Sequence, residues 1–341
     1  MRIPHIQRQF LLLISLLLTA CSNAKPFQAV DRQITPEQTI SGSDSGPHEI
    51  PHGQPWGIYR LDLRSQEVDL LFGSSTRISY LRLNHAGDKF AFSQTVGGAS
   101  DNREEIFTLK SDGTDQHRLT SNNYWDLYPA WSPDDTSIAF LSQRTSSLGI
   151  FVMNSDGSNQ TKLLDSEAHE ADLDWADNLI AFTRDSRIWI MRSDGTEAHP
   201  ISSPPRAGQW GAANLPFGDY DPRISPDASS VVFERLTGDD SPYGNYDLFT
   251  VNLATSEESR LTNTGYSQGL ASWSHSGKQL IYVVSAIGQT GQYDLYLMNA
   301  DGTDSHSITP AYFPPQFLCH WGIFSADDNA LFFIGEWWEA G

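Results

Sequence analysis

The sequence is short of cysteine, of basic side chains and of long apolar runs. Two cysteines in 341 residues, Cys21 and Cys319, exclude a disulfide-stapled scaffold and leave no Cys-x-x-Cys pair for zinc or redox chemistry. Lysine and arginine number 22 against 42 aspartates and glutamates, for a formal net charge of −20. So little positive charge excludes nucleic-acid binding through phosphate contacts and docking on anionic lipid by surface charge. A charged partner should instead be cationic. The one extended apolar run, residues 10–18, is interrupted by Ser15 and is less than half of the ~20 residues that span a bilayer. Gly-x-Ser-x-Gly, His-Glu-x-x-His and a phosphate-cradling glycine loop are also missing, so no catalytic constellation is legible. What the chain does have is aromatic side chains, 11% of residues with ten Trp among them, within 39% hydrophobic residues. That is enough for a sizeable core.

Arg2 and Arg8 precede the apolar run and Leu18-Thr19-Ala20-Cys21 closes it. Positive, apolar and small residues in that order read as a cleaved signal peptide over residues 1–20, and the last four residues resemble the lipobox of bacterial lipoproteins. The resemblance implies cleavage before Cys21 and acylation of its thiol and its new amino group. Several acyl chains, at ~0.8 kcal/mol per buried methylene, would then hold the protein on a lipid bilayer. Ser22, where an Asp would imply retention at the inner membrane, leans toward the outer membrane with the chain facing the periplasm. Removing residues 1–20 takes away Arg2 and Arg8 and no acidic side chain, which moves the net charge from −20 to −22. Residues 21–55, polar and rich in Ser, Gly and Pro, are expected to form a lipidated, disordered tether. Cys319 is then left without a partner and is expected in the core.

From residue 56 onward the chain repeats. Trp131-Ser-Pro-Asp-Asp-Thr-Ser-Ile-Ala-Phe140 recurs as Ile224 to Phe233, Trp273 to Tyr282 and Phe324 to Phe333, with looser copies beginning at Leu83 and Trp175. The starts are 48, 44, 49, 49 and 51 residues apart. A second block, Ile150-Phe-Val-Met-Asn-Ser-Asp-Gly157, recurs at Ile106 to Gly113, Ile188 to Gly195 and Leu295 to Gly302. Ser-Pro-Asp and Asp-Gly are turn signals between apolar runs, because Pro cannot continue a strand and Gly takes positive φ without steric cost. Four short antiparallel strands every ~48 residues predict an all-β fold, a propeller. Residues 77–310 hold five blades. A strand pair before them and a pair after them should join as the sixth, closing the ring and removing an open sheet edge.

The Trp-Ser-Pro-Asp-Asp element followed by Met-Asn-Ser-Asp-Gly resembles the repeat of TolB-type six-bladed propellers, and the match covers residues 56–341. No α/β domain of the kind that precedes the ring in TolB is legible ahead of it. The leading expectation is a binding or scaffolding module for an envelope protein or a basic peptide, built as a monomeric ring, with no catalytic residues assigned.

Aligning the starts of the inner strands brings acidic residues into register. Five residues before Trp131, Trp175, Ile224 and Trp273 stand Asp126, Glu170, Asp219 and Gln268, and three before stand Tyr128, Asp172, Asp221 and Leu270. With His320 of the last blade and nearby His169, they are expected to converge as an acidic rim at the channel mouth. Such a rim suits a basic peptide, or calcium or another divalent cation on Asp126, Glu170 and Asp219. The alternative is a metal-dependent carbohydrate-active enzyme or sugar-binding protein. Lyases of the oligogalacturonate type resemble it in carrying His and Gln around a channel metal. His117, His199 and His306 recur at one repeat position and are expected on outer strands. Trp131, Trp175 and Trp273 recur likewise and are expected to pack between blades. The fourth blade carries insertions whose aromatics, Trp210, Phe217, Tyr220, Tyr243 and Tyr246, are expected to form a loop interaction surface.

Overall fold

A computed structural model describes residues 49–97, 103–145, 147–164, 166–207, 217–237, 245–285 and 293–338. Cys21, Trp210 and Tyr243 lie outside the described residues. The chain opens with a strand pair, β1 (Trp56–Asp62) and β2 (Val68–Ser74). Blade 1 follows as β3 (Ile78–Leu83), β4 (Lys89–Thr95), β5 (Glu104–Lys110) and β6 (His117–Arg118). Blade 2 is β7 (Asp126–Trp131), β8 (Ser137–Ser142), β9 (Gly149–Asn154) and β10 (Thr161–Lys162). Blade 3 is β11 (Glu170–Ala176), β12 (Leu179–Arg184), β13 (Arg187–Arg192) and β14 (His199–Pro200). Blade 4 is β15 (Gly218–Ile224), β16 (Ser230–Thr237), β17 (Asn245–Asn252) and β18 (Glu258–Arg260). Blade 5 is β19 (Ser267–Trp273), β20 (Gln279–Ser285), β21 (Tyr293–Asn299) and β22 (His306–Ser307). The last pair, β23 (Phe317–Phe324) and β24 (Ala330–Trp337), completes blade 6 with the first, in the order β2-β1-β24-β23.

All six sheets are four-stranded, and the predicted closure is present as an antiparallel ladder from Trp56↔Glu336 to Asp62↔Ala330. Tyr59, Phe313, Phe317 and Phe333 pack across this junction, so the two ends of the ring are held by one aromatic cluster. Packing begins before residue 56. Ile50 is buried in the same cluster, and His52 lies 4.2 Å from the Trp337 ring.

The two turn signals do more than reverse the chain. In the Ser-Pro-Asp turns the first Asp accepts bonds from its own turn: Asp134 holds Ser132 Oγ at 2.7 Å and Thr136 Oγ1 at 2.8 Å, which draws its carboxyl below the ordinary range. The residue after it can latch a neighbouring blade. Asp135 of blade 2 accepts the backbone N–H groups of His85 and Ala86 in blade 1, and Asp328 of blade 6 accepts those of His275 and Ser276 in blade 5. In the Asp-Gly turns, Gly113, Gly157, Gly195 and Gly302 have φ of +84 to +87°, and a Cβ on any of them would press on a backbone carbonyl of the preceding blade. Glycine is required there both by the turn and by blade-to-blade approach. His117, His199 and His306 are exposed on the two-residue outer strands, and Cys319 is a buried free thiol.

Candidate functional site

Every inner strand carries a bulge at one position. The register between inner and second strand slips across Tyr80, Tyr128, Asp172, Asp221, Leu270 and Trp321, and each of the six has a φ between +46 and +58°. Non-glycine residues avoid this region at a cost of ~1–3 kcal/mol. Its recurrence in all six blades marks a constraint of the ring. Side chains from different blades meet here: Tyr80 stacks on Tyr128 at 3.5 Å between centroids and meets Trp321 edge-on at 5.2 Å, while Asp172 accepts the backbone N–H of Asp221. Tyr80 of blade 1 also feels the charge of Asp221 in blade 4, across the ring, so the layer lies at the axis with aromatics on one side and carboxylates on the other.

The expected acidic rim therefore divides in two. In a regular strand, residues two apart share a face. The bulge breaks that parity, so Asp172 and Asp221 enter the axial layer while Asp126, Glu170 and Asp219 lie against the sheet of their own blade. Asp126 accepts Arg144 Nη2 at 2.7 Å and Glu170 accepts Arg184 Nη2 at 2.6 Å. Asp219 takes Arg235 in a two-pronged pair at 2.6 and 2.9 Å. Each guanidinium in turn covers aromatic rings of the second and third strands: Phe140 and Phe151, Phe182 and Trp189, Phe233 and Phe249. This carboxylate–arginine–aromatic device accounts for the charge that was expected to face a ligand. The three carboxylates stand in separate blades, each with its own arginine, and among the described residues no group of three His, Cys, Asp or Glu side chains is placed to hold a metal ion. Gln268 donates to Thr264, His320 pairs with Glu336 at 3.2 Å, and His169 accepts the Leu148 N–H.

The carboxylate side of the axial layer has unusual electrostatics. Burial, with the Asp172 charge added, pushes Asp221 up to about 7 despite Arg223 and Arg82 nearby. Glu234 of β16 shares a hydrogen bond with Asp221 and is likewise held well above the carboxylate range by burial and by the charges of Asp221 and Asp172. Its Oε2 accepts the Leu270 N–H, and it fits only because Gly269 has no Cβ to strike it. Each carboxyl thus disfavours ionisation of the other.

Beyond this layer, at the end where the inner strands finish, the axis opens into a cavity of about 410 Å³. Arg82, Asp174 and Arg223 stand on its walls two residues past the bulge, and Trp131, Trp175 and Trp273 with His85 and His275 form its mouth. Arg223 reaches Asp221 at 3.6 Å and donates to the Pro222 carbonyl. Among the described residues, Arg82 donates to the carbonyls of Leu81 and Leu173. The inter-blade tryptophans thus also line a cavity, a role their repeat position does not suggest.

No family model matches the chain. A TolB homologue from Chlorobium luteolum is 25% identical over 159 residues, 45% of this chain, and the chain spans only 33% of that protein's length. A structure assigned as TolB from Agrobacterium tumefaciens superposes with a TM-score of 0.64, covering 84% of this chain and 99% of that one at 13% identity. The chain carries a TolB-like six-bladed β-propeller. An oligogalacturonate lyase in complex with manganese also superposes, with a TM-score of 0.53 over 84% of both chains at 13% identity, which is a likeness of fold alone.

Within the TolB-like propeller, the residues of the fourth-blade insertions are placed unequally. Tyr220 is not in an exposed loop. It lies in β15, 5% exposed, with its hydroxyl on Ser186, and it meets Tyr246 of β17 edge-on because the strand pair continues where an insertion was expected. Phe217 sits beneath the Arg206 guanidinium at 3.9 Å. Arg82, Arg223, Asp174 and Glu234 were not apparent as site residues. The position of Arg82, Asp174 and Arg223 holds Ala130, Ser272 and Ile323 in the other blades, and that of Glu234 holds Ser93, Leu141, Thr183, Val283 and Ile334, so no periodic signal marked them. The arginines that pair the rim carboxylates did leave a trace, two residues after a second-strand Phe in Phe182-Thr-Arg184 and Phe233-Glu-Arg235.

Proposed function

We propose that this TolB-like propeller is a binding module of the bacterial envelope, tethered to a membrane by acyl groups on Cys21, facing the periplasm and acting as a monomeric ring that receives a protein partner. The observation that carries the reading is the mouth at the strand-exit end. It is concave, rimmed by three tryptophans and two histidines, and built on a closed ring whose blades are latched to one another by turn-to-turn bonds. Rigid concavities with aromatic anchors favour partner binding because few side chains must be ordered on association. The TolB homologue supports an envelope setting, and the lipobox resemblance supports the anchor.

Blocking the mouth tests the reading without disturbing the core. His85 and His275 are exposed turn residues on its rim, so His85→Trp with His275→Trp narrows the opening while leaving every buried side chain in place. Crosslinked pull-down from intact envelopes should lose the principal partner in this variant while its melting temperature stays within a few degrees of wild type. An unchanged partner set would refute the mouth as the docking site. Cys21→Ala should move the protein from the membrane to the soluble envelope fraction, and continued membrane association would refute the anchor.

A further inference from the structure

The four Asp-Gly turns carry a chemical liability that the ring cannot shed by changing the glycine. A φ of +84 to +87° and the adjoining carbonyls of Leu71, Leu119, Leu163 and Leu261 fix glycine at 113, 157, 195 and 302. With no side chain to hinder it, the amide nitrogen of such a glycine can attack the Cγ of the aspartate before it. A bond forms between Gly N and Asp Cγ, the amide proton leaves with the carboxyl hydroxyl as water, and a succinimide ring results. A second water opens the ring at either carbonyl. Opening at the main-chain carbonyl gives isoaspartate, whose backbone is one carbon longer. Gly113 lies against the Leu71 carbonyl of the preceding blade, so a longer turn there would push the two blades apart. Burial offers no protection, because Asp112, Asp156, Asp194 and Asp301 are all exposed.

Both reacting groups are held in other bonds. Each glycine N–H donates to the carbonyl three residues back, Gly113 to Lys110 at 2.9 Å, Gly157 to Asn154 at 2.8 Å, and Gly195 to Arg192 and Gly302 to Asn299 at 2.9 Å. Each aspartate Oδ1 accepts twice from the residue two places on, from its backbone N–H at 2.9 to 3.0 Å and from its hydroxyl at 2.6 Å. Those bonds, the hydroxyl's foremost, draw all four carboxyls below the ordinary range. An ionised carboxyl has no hydroxyl to lose and is the poorer target. We propose that Thr114, Ser158, Thr196 and Thr303 guard these turns against isoaspartate formation, each hydroxyl holding the carboxylate off the glycine nitrogen. The same contact joins Asp134 and Thr136, where Asp135 and not glycine follows, so the bond also shapes a turn. The two roles separate by pH.

The test ages the full chain near neutral pH, native and in urea, and maps its peptides by mass spectrometry. Succinimide is lighter than aspartate by one water, and isoaspartate peptides separate by chromatography. In the native ring all four aspartates should convert about tenfold or more slowly than in urea, the change expected for one hydrogen bond to a charged group. Thr114→Val removes the hydroxyl and keeps the branched side chain. It should raise conversion at Asp112 about threefold or more, with Asp156, Asp194 and Asp301 unchanged as controls in the same molecule. Thr114→Ser should keep the wild-type rate. The excess at Asp112 should shrink as pH falls below about 4, where the carboxyl takes up its proton with or without the hydroxyl. A turn merely reshaped would keep the same excess at every pH. Thr196→Val, read at Asp194 against the other three turns, makes the same comparison if Thr114→Val fails to fold. Native wild type converting at the urea rate overturns the proposal. So does a folded Val variant whose own turn converts no faster than its three controls, or whose excess is independent of pH.

Discussion

Asp219 and Arg235 provide the most direct check on the carboxylate–arginine–aromatic device. Asp219 is fully buried, and its charged partner among the described residues is Arg235, which also reaches Glu258 at 2.8 Å. Replacing Arg235 with Met keeps most of the packing over Phe233 and Phe249 and removes both prongs from Asp219. Breaking one side of a buried pair costs about 3–5 kcal/mol, because the remaining charge stays desolvated. For a ring of this size that is a fall in melting temperature of roughly 6–20 °C. Glu258 is partly exposed and can return to water, so the loss should come mainly from Asp219. Burial already holds the Asp219 carboxyl above its ordinary value even with Arg235 present, and removing the arginine pushes it further up. A carboxyl raised in the folded state binds its proton more tightly there than in the unfolded chain, so stability falls as pH rises from about 4 through the folded value. The Arg235→Met deficit should therefore be largest near pH 7–8 and shrink on acidification toward pH 5. Thermal melts across that range, with Asp219→Leu/Arg235→Met as the second arm, separate burial from pairing. The double variant should regain most of the lost stability, since an apolar replacement of both partners is close to neutral. A single-variant loss under about 1 kcal/mol, or a double variant no better than the single, would refute the account.

Asp221 should make the wild-type ring less stable as pH rises from about 4 to about 7, because its folded form holds a proton the unfolded chain releases. Asp221→Asn should raise the melting temperature at pH 8 and flatten its pH dependence, a gain of about 2–4 kcal/mol; identical melts of variant and wild type at pH 5 and pH 8 would show that the carboxyl is not perturbed. Gly269→Ala places a Cβ against the Glu234 carboxylate and should cost about 1–3 kcal/mol, largely recovered by Glu234→Ser in the same chain. Failure of the second change to rescue would mean the clash lies elsewhere. Cys319, fully buried and with its thiol pushed well up by burial, should resist iodoacetamide in the native protein and react only after denaturation. Labelling of native protein at the denatured rate would contradict its burial.

The repeat made the architecture legible. Ser-Pro-Asp and Asp-Gly recur with a period near 48 because each blade needs the same two reversals, and the half-blades at the ends could be joined by phase alone. The residue after Asp-Gly was passed over: Thr114, Ser158, Thr196 and Thr303 each bond the turn Asp through both backbone N–H and hydroxyl. The inner-strand alignment was sound, since Tyr128, Asp172, Asp221 and Leu270 do occupy equivalent places. What it could not contain was the bulge. Treating positions one and three of the strand as sharing a face put Asp126 beside Asp172, whereas a left-handed residue turns one toward the axis and leaves the other on the blade.

Blade number, closure and the burial of Cys319 follow from the order of residues, because periodic turns and apolar alternation act locally and repeat. The axial layer, the raised carboxyls of Asp221 and Glu234, and the cavity holding Arg82 do not. They arise where residues of different blades meet, Asp172 with Asp221 across 49 residues and Arg82 with Leu173 across 91, and the charge states there depend on how much water those neighbours exclude. Periodicity carries no record of such meetings, so the chemistry of this ring lies in the residues where its repeats differ.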